Sequence, residues 1–290
     1  MIIRIIPKLA LNAVLATITS AGLIAAEAAF AQRRPPLTVP AVGDAAPSYA
    51  AAADLVLRSP VIIDSVIQKA ERLKGPEAIG APSGHARLYV QADVLALVRG
   101  TDSVPARIGY ILDVVPDSRG KIPKLRKLRV LLFARPVPRL SGQIQLTGPD
   151  SQRPWTPALD ALSRRIATEA LAADAPPVVT GIGNAFHVQG SLPGEGETQI
   201  FLTTRDNRPV SVSILRRPGE KPRWAVSLTE IVDEAAAPPQ RDTLLWYRLA
   251  CALPAQLPAA AIEKMTAPDA EIASQDYQFV LRSLGACNRG

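Results

Sequence analysis

Residues 86–100 read ARLYVQADVLALVRG and predict a long β-strand. Every second residue from Leu88 to Val98 is apolar, so these side chains share one face of an extended chain. The opposite face carries Arg87, Gln91 and Asp93. This alternation is typical of a strand with one face against a core and the other towards solvent.

Three further strand candidates follow this stretch. They are ARIGYILDVV at 106–115, LRVLLFARPV at 128–137 and GQIQLTG at 142–148. Turn signals rich in Gly, Pro, Asp and Ser separate them. Four or five short strands at this spacing predict a small barrel or sandwich, and we name an OB-like barrel as the specific shape.

The segment that precedes these strands allows two interpretations. Residues 55–73 contain many β-branched side chains, which favour a strand bent at Pro60. The alternative is a helix that begins after Ser59, with Ser59 as its N-cap and Pro60 in its first turn. We favour the strand. Residues 32–53 contain mainly Pro, Ala and small polar residues, so we expect a flexible linker there.

The first 31 residues resemble an export signal. Arg4 and Lys8 precede an apolar run from residue 9 to residue 26, and Ala29-Phe30-Ala31 offers a small-residue cleavage site. We expect cleavage after Ala31, which makes the mature protein periplasmic or secreted. The alternative is an uncleaved membrane anchor. No later stretch reaches 18 apolar residues, so we expect no transmembrane segment after the leader.

The second half of the chain predicts a helix, a second set of strands and more helices. Residues 155–173 have the apolar spacing of an amphipathic helix. Four strand candidates then predict an antiparallel meander, and the tail is helical. We therefore expect a mainly β, mixed α+β fold with two small antiparallel β units. Its divisions are a signal peptide 1–31, a linker 32–53, a first β-rich unit 54–150, a connecting helix 151–176, a second β-rich unit 177–240 and a helical tail 241–290.

The chain contains two cysteines, Cys251 and Cys287. An even number of cysteines in an exported protein indicates a disulfide. We expect this bond to join the last helix to the apolar helix near residue 250. Two buried free thiols are the alternative. The residue directly after the predicted cleavage site is Gln32 and not a cysteine, which disfavours a lipid-anchored protein.

The net charge of +7 favours anionic partners. The densest cluster of cations lies in the connection between two predicted strands, and no acidic residue lies between its first and last member. Its six cations are Arg119, Lys121, Lys124, Arg126, Lys127 and Arg129. We interpret this basic loop as a docking site for an anionic component of the cell envelope or for an envelope protein. The alternative is a solvated loop without a partner. Nucleic acid is disfavoured, since export separates the protein from most of it and aromatic residues are only 4% of the chain.

Motifs for catalysis and cofactors give little support to an enzyme. The chain has two histidines and no recognisable nucleophile or phosphate-binding motif, so we expect neither a metal nor a cofactor. If catalysis occurs, His187 with Glu195 or Glu197 is the best candidate for acid–base chemistry, as in a small periplasmic hydrolase or isomerase. The alternative is a packed histidine beside two solvated glutamates.

These observations favour a non-catalytic binding or scaffold protein of the bacterial cell envelope. Export, positive charge and the lack of a catalytic motif all point this way. A third hypothesis is an interaction module that adds a strand to a partner through an exposed sheet edge.

Overall fold

Two antiparallel sheets form the framework of the computed structural model, which describes residues 47–100, 103–229 and 236–289. The first sheet contains β1 (Val61–Arg72), β2 (Ala86–Arg99), β3 (Arg107–Val114), β4 (Arg129–Pro136), β5 (Ile144–Leu146) and β6 (Gln152–Pro154). The second contains β7 (Val179–Gln189), β8 (Gly196–Thr204), β9 (Val210–Arg216) and β10 (Arg223–Ser227). The helices are α1 (Tyr49–Arg58), α2 (Pro157–Leu171), α3 (Leu244–Ala250), α4 (Ala259–Ile262) and α5 (Ala267–Leu284). The predicted α+β class with two antiparallel sheets is confirmed.

The first sheet has the strand order β3-β2-β1-β4-β5, with β6 also paired to β4. Its two edge strands approach each other at one parallel bridge, where the Gly109 N–H donates to the Gly142 carbonyl at 2.8 Å. Within the described residues this contact stays an isolated bridge and does not extend into a ladder between β3 and β5. The OB-like barrel that the strand count suggested therefore does not close within the described residues.

Strands β1 and β4 are buried on both faces. Ile63 and Leu132 face a core enclosed by the first sheet, together with residues of β2 and β3. Their sequence neighbours Ile62 and Leu131 face a second core, which includes α1, α2, the second sheet and the C-terminal helices. All four side chains have no solvent exposure. This double burial explains why β4 reads as a continuous apolar run.

Helix α1 corrects the prediction for residues 49–58. Residues 49–53 belong to a buried helix instead of the predicted flexible linker, and the strand begins only at Val61. The Ser48 hydroxyl accepts the Ala51 N–H at 3.2 Å and so caps the helix N-terminus. Ser59 ends this helix instead of capping a later one. The alanines that suggested a linker pack their methyl groups against the second core.

The second sheet is a simple meander, with the strand order β10-β9-β8-β7. Helix α2 precedes it, and the Thr156 hydroxyl caps this helix by accepting the Leu159 N–H at 3.1 Å. The predicted connecting helix and four-stranded meander are therefore present. Among the helices of the described ranges, none is long and apolar enough to cross a membrane.

The C-terminal helices are held to each other by a hydrogen bond and a disulfide. The Trp246 indole N–H donates to the Leu284 carbonyl at 2.9 Å, which joins α3 to the end of α5. Cys251 and Cys287 form the predicted disulfide, with a Cα–Cα distance of 5.1 Å. Both contacts fasten the last helix against the second core.

The disulfide provides a test of how the tail is held. We expect the double substitution Cys251→Ser/Cys287→Ser to lower the free energy of unfolding by about 2–4 kcal/mol, because the bond closes a loop across 36 residues and so restricts the unfolded chain. Urea unfolding measures this difference. Equal stability of the double variant and the parent would contradict a stabilising role.

Candidate functional site

The basic loop connects β3 to β4 and is fixed at its start by Asp117. The Asp117 carboxylate accepts the backbone N–H groups of Arg119 at 2.9 Å and Lys121 at 2.8 Å. The Gly120 N–H donates to the Asp117 carbonyl, and Gly120 has a φ of 73°, which suits glycine. These bonds give the exposed first half of the loop a defined turn.

The second half of the loop is fixed by Leu125 and by strand β1. Leu125 is 8% exposed and packs into the core enclosed by the first sheet. The Lys127 N–H donates to the Ile67 carbonyl at 2.7 Å, and the Ile67 N–H donates to the Leu128 carbonyl at 2.9 Å. The cations of the loop therefore project from a backbone anchored at both ends.

Five of the six predicted cations are exposed and free of ion pairs in the part of the chain that the structure describes. They are Arg119, Lys121, Lys124, Arg126 and Lys127. Asp117 is the nearest acidic residue in sequence, and its Oδ1 accepts two N–H groups of the loop itself. The charge of these five side chains is thus available to a partner in solution.

Arg129, the sixth cation, serves a different purpose. Its guanidinium donates to both oxygens of Asp64, at 3.0 and 2.6 Å, and lies 3.6 Å above the Trp155 ring. Asp64 is only 3% exposed, so Arg129 neutralises a buried carboxylate. The hydrogen bonds with Asp64 raise the pKa of Arg129 above its usual value. We therefore assign to Arg129 a role in holding β4 against β1.

Two more cations lie at the same end of the first sheet. Arg72 ends β1 and Lys74 follows it, and both are exposed. The Leu73 N–H between them donates to the Arg87 carbonyl at the start of β2. The neighbouring Glu71 forms an ion pair with Lys69 at 2.6 Å. This end of the sheet is therefore predominantly positive.

Leu125 tests whether the loop is anchored as the contacts indicate. Leu125→Ala should lower the free energy of unfolding by about 2 kcal/mol, because it leaves a cavity in the core under the loop. Leu128→Ala is a matched control, since Leu128 is 47% exposed and its truncation should cost less than about 0.5 kcal/mol. Urea unfolding of both variants makes the comparison. Equal effects would show that Leu125 does not anchor the loop.

His187 belongs to a hydrogen-bonded chain that links the second sheet to α5. The Thr198 hydroxyl donates to the Asp276 carboxylate at 2.5 Å, so it must accept from His187 Nδ1, which is 2.9 Å away. This arrangement fixes the proton on Nδ1 and leaves Nε2 without a proton in the neutral ring. Arg216 donates to the other oxygen of Asp276 at 2.7 Å. Asp276 has no solvent exposure, and it is fully satisfied by these partners.

Neither predicted glutamate hydrogen-bonds to His187 among the described residues. His187 and Thr198 are opposite each other in the β7–β8 register, so Glu197 points to the other face of the sheet. Glu197 accepts from the Gln199 side chain at 2.9 Å. Glu195 accepts the Leu192 N–H within its own turn at 3.2 Å. The structure gives His187 a hydrogen-bond partner in Thr198, and an acid–base role with Glu195 or Glu197 stays a prediction.

Sequence reasoning missed Thr198, Asp276 and Arg216. Asp276 lies 78 residues from Thr198 and 60 from Arg216, and no local pattern marks the three as partners. In the described ranges, no group of three or more His, Cys, Asp or Glu side chains could hold a metal ion. Comparison with models of known protein families and with curated proteins finds no match for this chain.

The hydrogen-bonded chain predicts unequal effects of two threonine substitutions on β8. Thr198→Val should lower the free energy of unfolding by about 2 kcal/mol, because it deprives a buried carboxylate of a donor while preserving shape. Thr203→Val is the matched control, since the Thr203 side chain is exposed and a change below about 0.5 kcal/mol is expected. Thermal or urea unfolding compares the two. Similar costs would argue against a structural role for the Thr198 hydroxyl.

Proposed function

We propose that this chain is a non-catalytic binding or scaffold protein of the bacterial cell envelope, and that it contacts an anionic envelope component through the basic loop. The observation that carries the proposal is the set of five exposed cations without carboxylate partners on an anchored backbone. Of the six cations in the predicted cluster, Arg129 is paired with Asp64, while the other five form no ion pair among the described residues.

Anchoring matters because a fixed array of charges loses less conformational freedom on binding. Asp117, Leu125 and the bonds to Ile67 hold the backbone before any partner arrives. A cation near an anionic surface contributes about 1 kcal/mol, so several acting together give appreciable affinity. Such binding weakens as salt rises, because the Debye length falls from about 10 Å at 0.1 M towards about 3 Å at 1 M.

Export is part of the proposal. Cleavage after Ala31 and a periplasmic or secreted location follow from the leader pattern, which lies outside the described residues, as does most of the predicted linker 32–53. The disulfide between Cys251 and Cys287 supports this location, since such bonds persist in oxidising compartments. The alternative is a periplasmic enzyme that uses His187, but among the described residues Glu195 accepts the Leu192 N–H and Glu197 accepts from Gln199, and neither hydrogen-bonds to the imidazole.

Charge reversal of the loop tests this function. The test variant is Lys121→Glu/Lys124→Glu/Arg126→Glu/Lys127→Glu. At low salt, we expect isolated envelope fractions to retain this variant about tenfold less than the parent protein, because the substitutions turn attraction into repulsion. Co-sedimentation at about 50 and about 500 mM salt measures retention, and the parent protein should be released at the higher concentration.

A matched variant controls for the overall change in charge. The substitutions Arg205→Glu, Arg217→Glu, Lys221→Glu and Lys264→Glu alter four exposed cations outside the loop. This control should keep most of its retention, and both variants should match the parent in circular dichroism. If the two variants lose retention equally, net charge is responsible and the assignment to the loop is wrong.

A further inference from the structure

A cleft of about 680 Å³ opens along β2, β3 and β5, a size within the range of small-molecule sites. Polar and apolar side chains line it together. The lining includes Arg87, Tyr89, Ile111, Asp113, Leu140 and Gln143. None of them belongs to the basic loop or to the hydrogen-bonded series that contains His187.

Gly109 allows two polar groups to lie across the floor of this cleft. The Gln143 amide donates to the Tyr89 hydroxyl at 3.0 Å. A Cβ atom at position 109 would lie 2.3 Å from the Tyr89 oxygen and 2.8 Å from the Gln143 Oε1, which is too close for either to remain. The absence of a side chain at Gly109 is therefore required for this arrangement of the hydroxyl and the amide.

The charges in the cleft cancel. The Arg87 guanidinium donates to both oxygens of Asp113, at 2.9 and 2.8 Å, and this pair lowers the pKa of Asp113, which stays ionised at neutral pH. Arg87 also donates to the carbonyls of Ile79 and Gly80, which holds the β1–β2 connection over the sheet. Among the described lining residues, Arg87 is the one Lys or Arg. The cleft therefore lacks an unpaired cation that would bind an anion.

Several hydrogen-bonding groups remain available in the cleft. The Tyr89 hydroxyl accepts from Gln143, so its own proton is free to donate, and the Gln143 Oε1 is free to accept. His85 Nδ1 lies 3.0 Å from the Ser83 carbonyl and must donate to it, which leaves Nε2 as an acceptor in the neutral ring. Gln145 accepts from Arg135 through Oε1, so its amide N–H groups remain. Donors and acceptors are therefore interspersed.

Two exposed apolar side chains complete the cleft. Ile111 on β3 is 43% exposed and Leu140 in the β4–β5 connection is 57% exposed. Hydroxyl groups of a sugar both donate and accept hydrogen bonds, and the C–H face of a sugar ring is apolar. The mixed polar groups, the cancelled charge and this apolar surface match those two properties together.

From these features we infer that the cleft binds a neutral oligosaccharide. The Tyr89 hydroxyl and the Gln143 amide contact ring hydroxyls, and Ile111 and Leu140 pack against the C–H face of a sugar. This site is independent of the basic loop and does not rest on the proposed function.

A titration followed by amide chemical shifts tests the inference on the intact protein. Neutral probes are cellotriose and tri-N-acetylchitotriose, and trigalacturonate is the charged counterpart. We expect saturable shifts at Tyr89, Ile111 and Gln143 with at least one neutral probe, and at least tenfold weaker binding of trigalacturonate. Absence of shifts with both neutral probes, or shifts confined to other parts of the chain, overturns the proposal.

Variants place the binding in the cleft. Tyr89→Phe and Gln143→Ala should each weaken affinity for the neutral probe by about three- to tenfold, the effect of losing one hydrogen bond. Gln91→Ala is the matched control, because Gln91 follows Tyr89 on the same face of β2 and does not line the cleft. The charge-reversed loop variant should bind the saccharide normally, so failure of either proposal is recognised separately. Unchanged affinity of both cleft variants overturns this one.

Discussion

The pairing of β1 with β4 is the constraint on which the rest of the structure depends. These two strands are buried on both faces, so each supplies alternate side chains to two different cores. The register that places Ile63 opposite Leu132 also places Asp64 opposite Leu131 and Ser65 opposite Val130. A slip by one residue would exchange the side chains between the two cores, so double burial fixes the register strongly.

This pairing also positions the basic loop. Arg129, the first residue of β4, pairs with Val66 in the backbone register while its guanidinium binds Asp64. The loop ends at Arg129. Just before it, residues 127 and 128 form backbone hydrogen bonds with Ile67, which extend the contact with β1 into the loop. A buried carboxylate without its partner is costly, so the pair holds the end of the loop in place. The exposed cations therefore project from a backbone that these contacts hold against β1.

Local patterns in the sequence were sufficient to predict elements that bury one face and expose the other. Strand β2 buries Leu88, Val90 and Ala92 on one side, and this alternation was sufficient to predict it. Helix α1 was missed because Ala50, Ala52 and Ala53 are ambiguous alone: the same residues suit a solvated linker or a tightly packed helix. The choice between linker and helix depends on side chains more than a hundred residues away in sequence, as in the hydrogen bond from Tyr49 to Glu169. The basic loop was visible from charge alone, but the separate role of Arg129 depends on Asp64, 65 residues earlier.

The two proposed binding surfaces have opposite electrostatic character although they lie close in sequence. Asp113 lines the cleft, and the basic loop begins after Val114. Arg87 forms its ion pair with Asp113, so this cation adds no net charge to the cleft, and the Asp113 oxygens disfavour an anion there. An anionic partner should therefore be drawn to the five loop cations, which form no ion pair among the described residues. Because of the Arg87–Asp113 pair, the cleft favours a neutral ligand while the loop favours an anionic one. Charge reversal of the loop and substitution of Tyr89 or Gln143 therefore test the two surfaces independently.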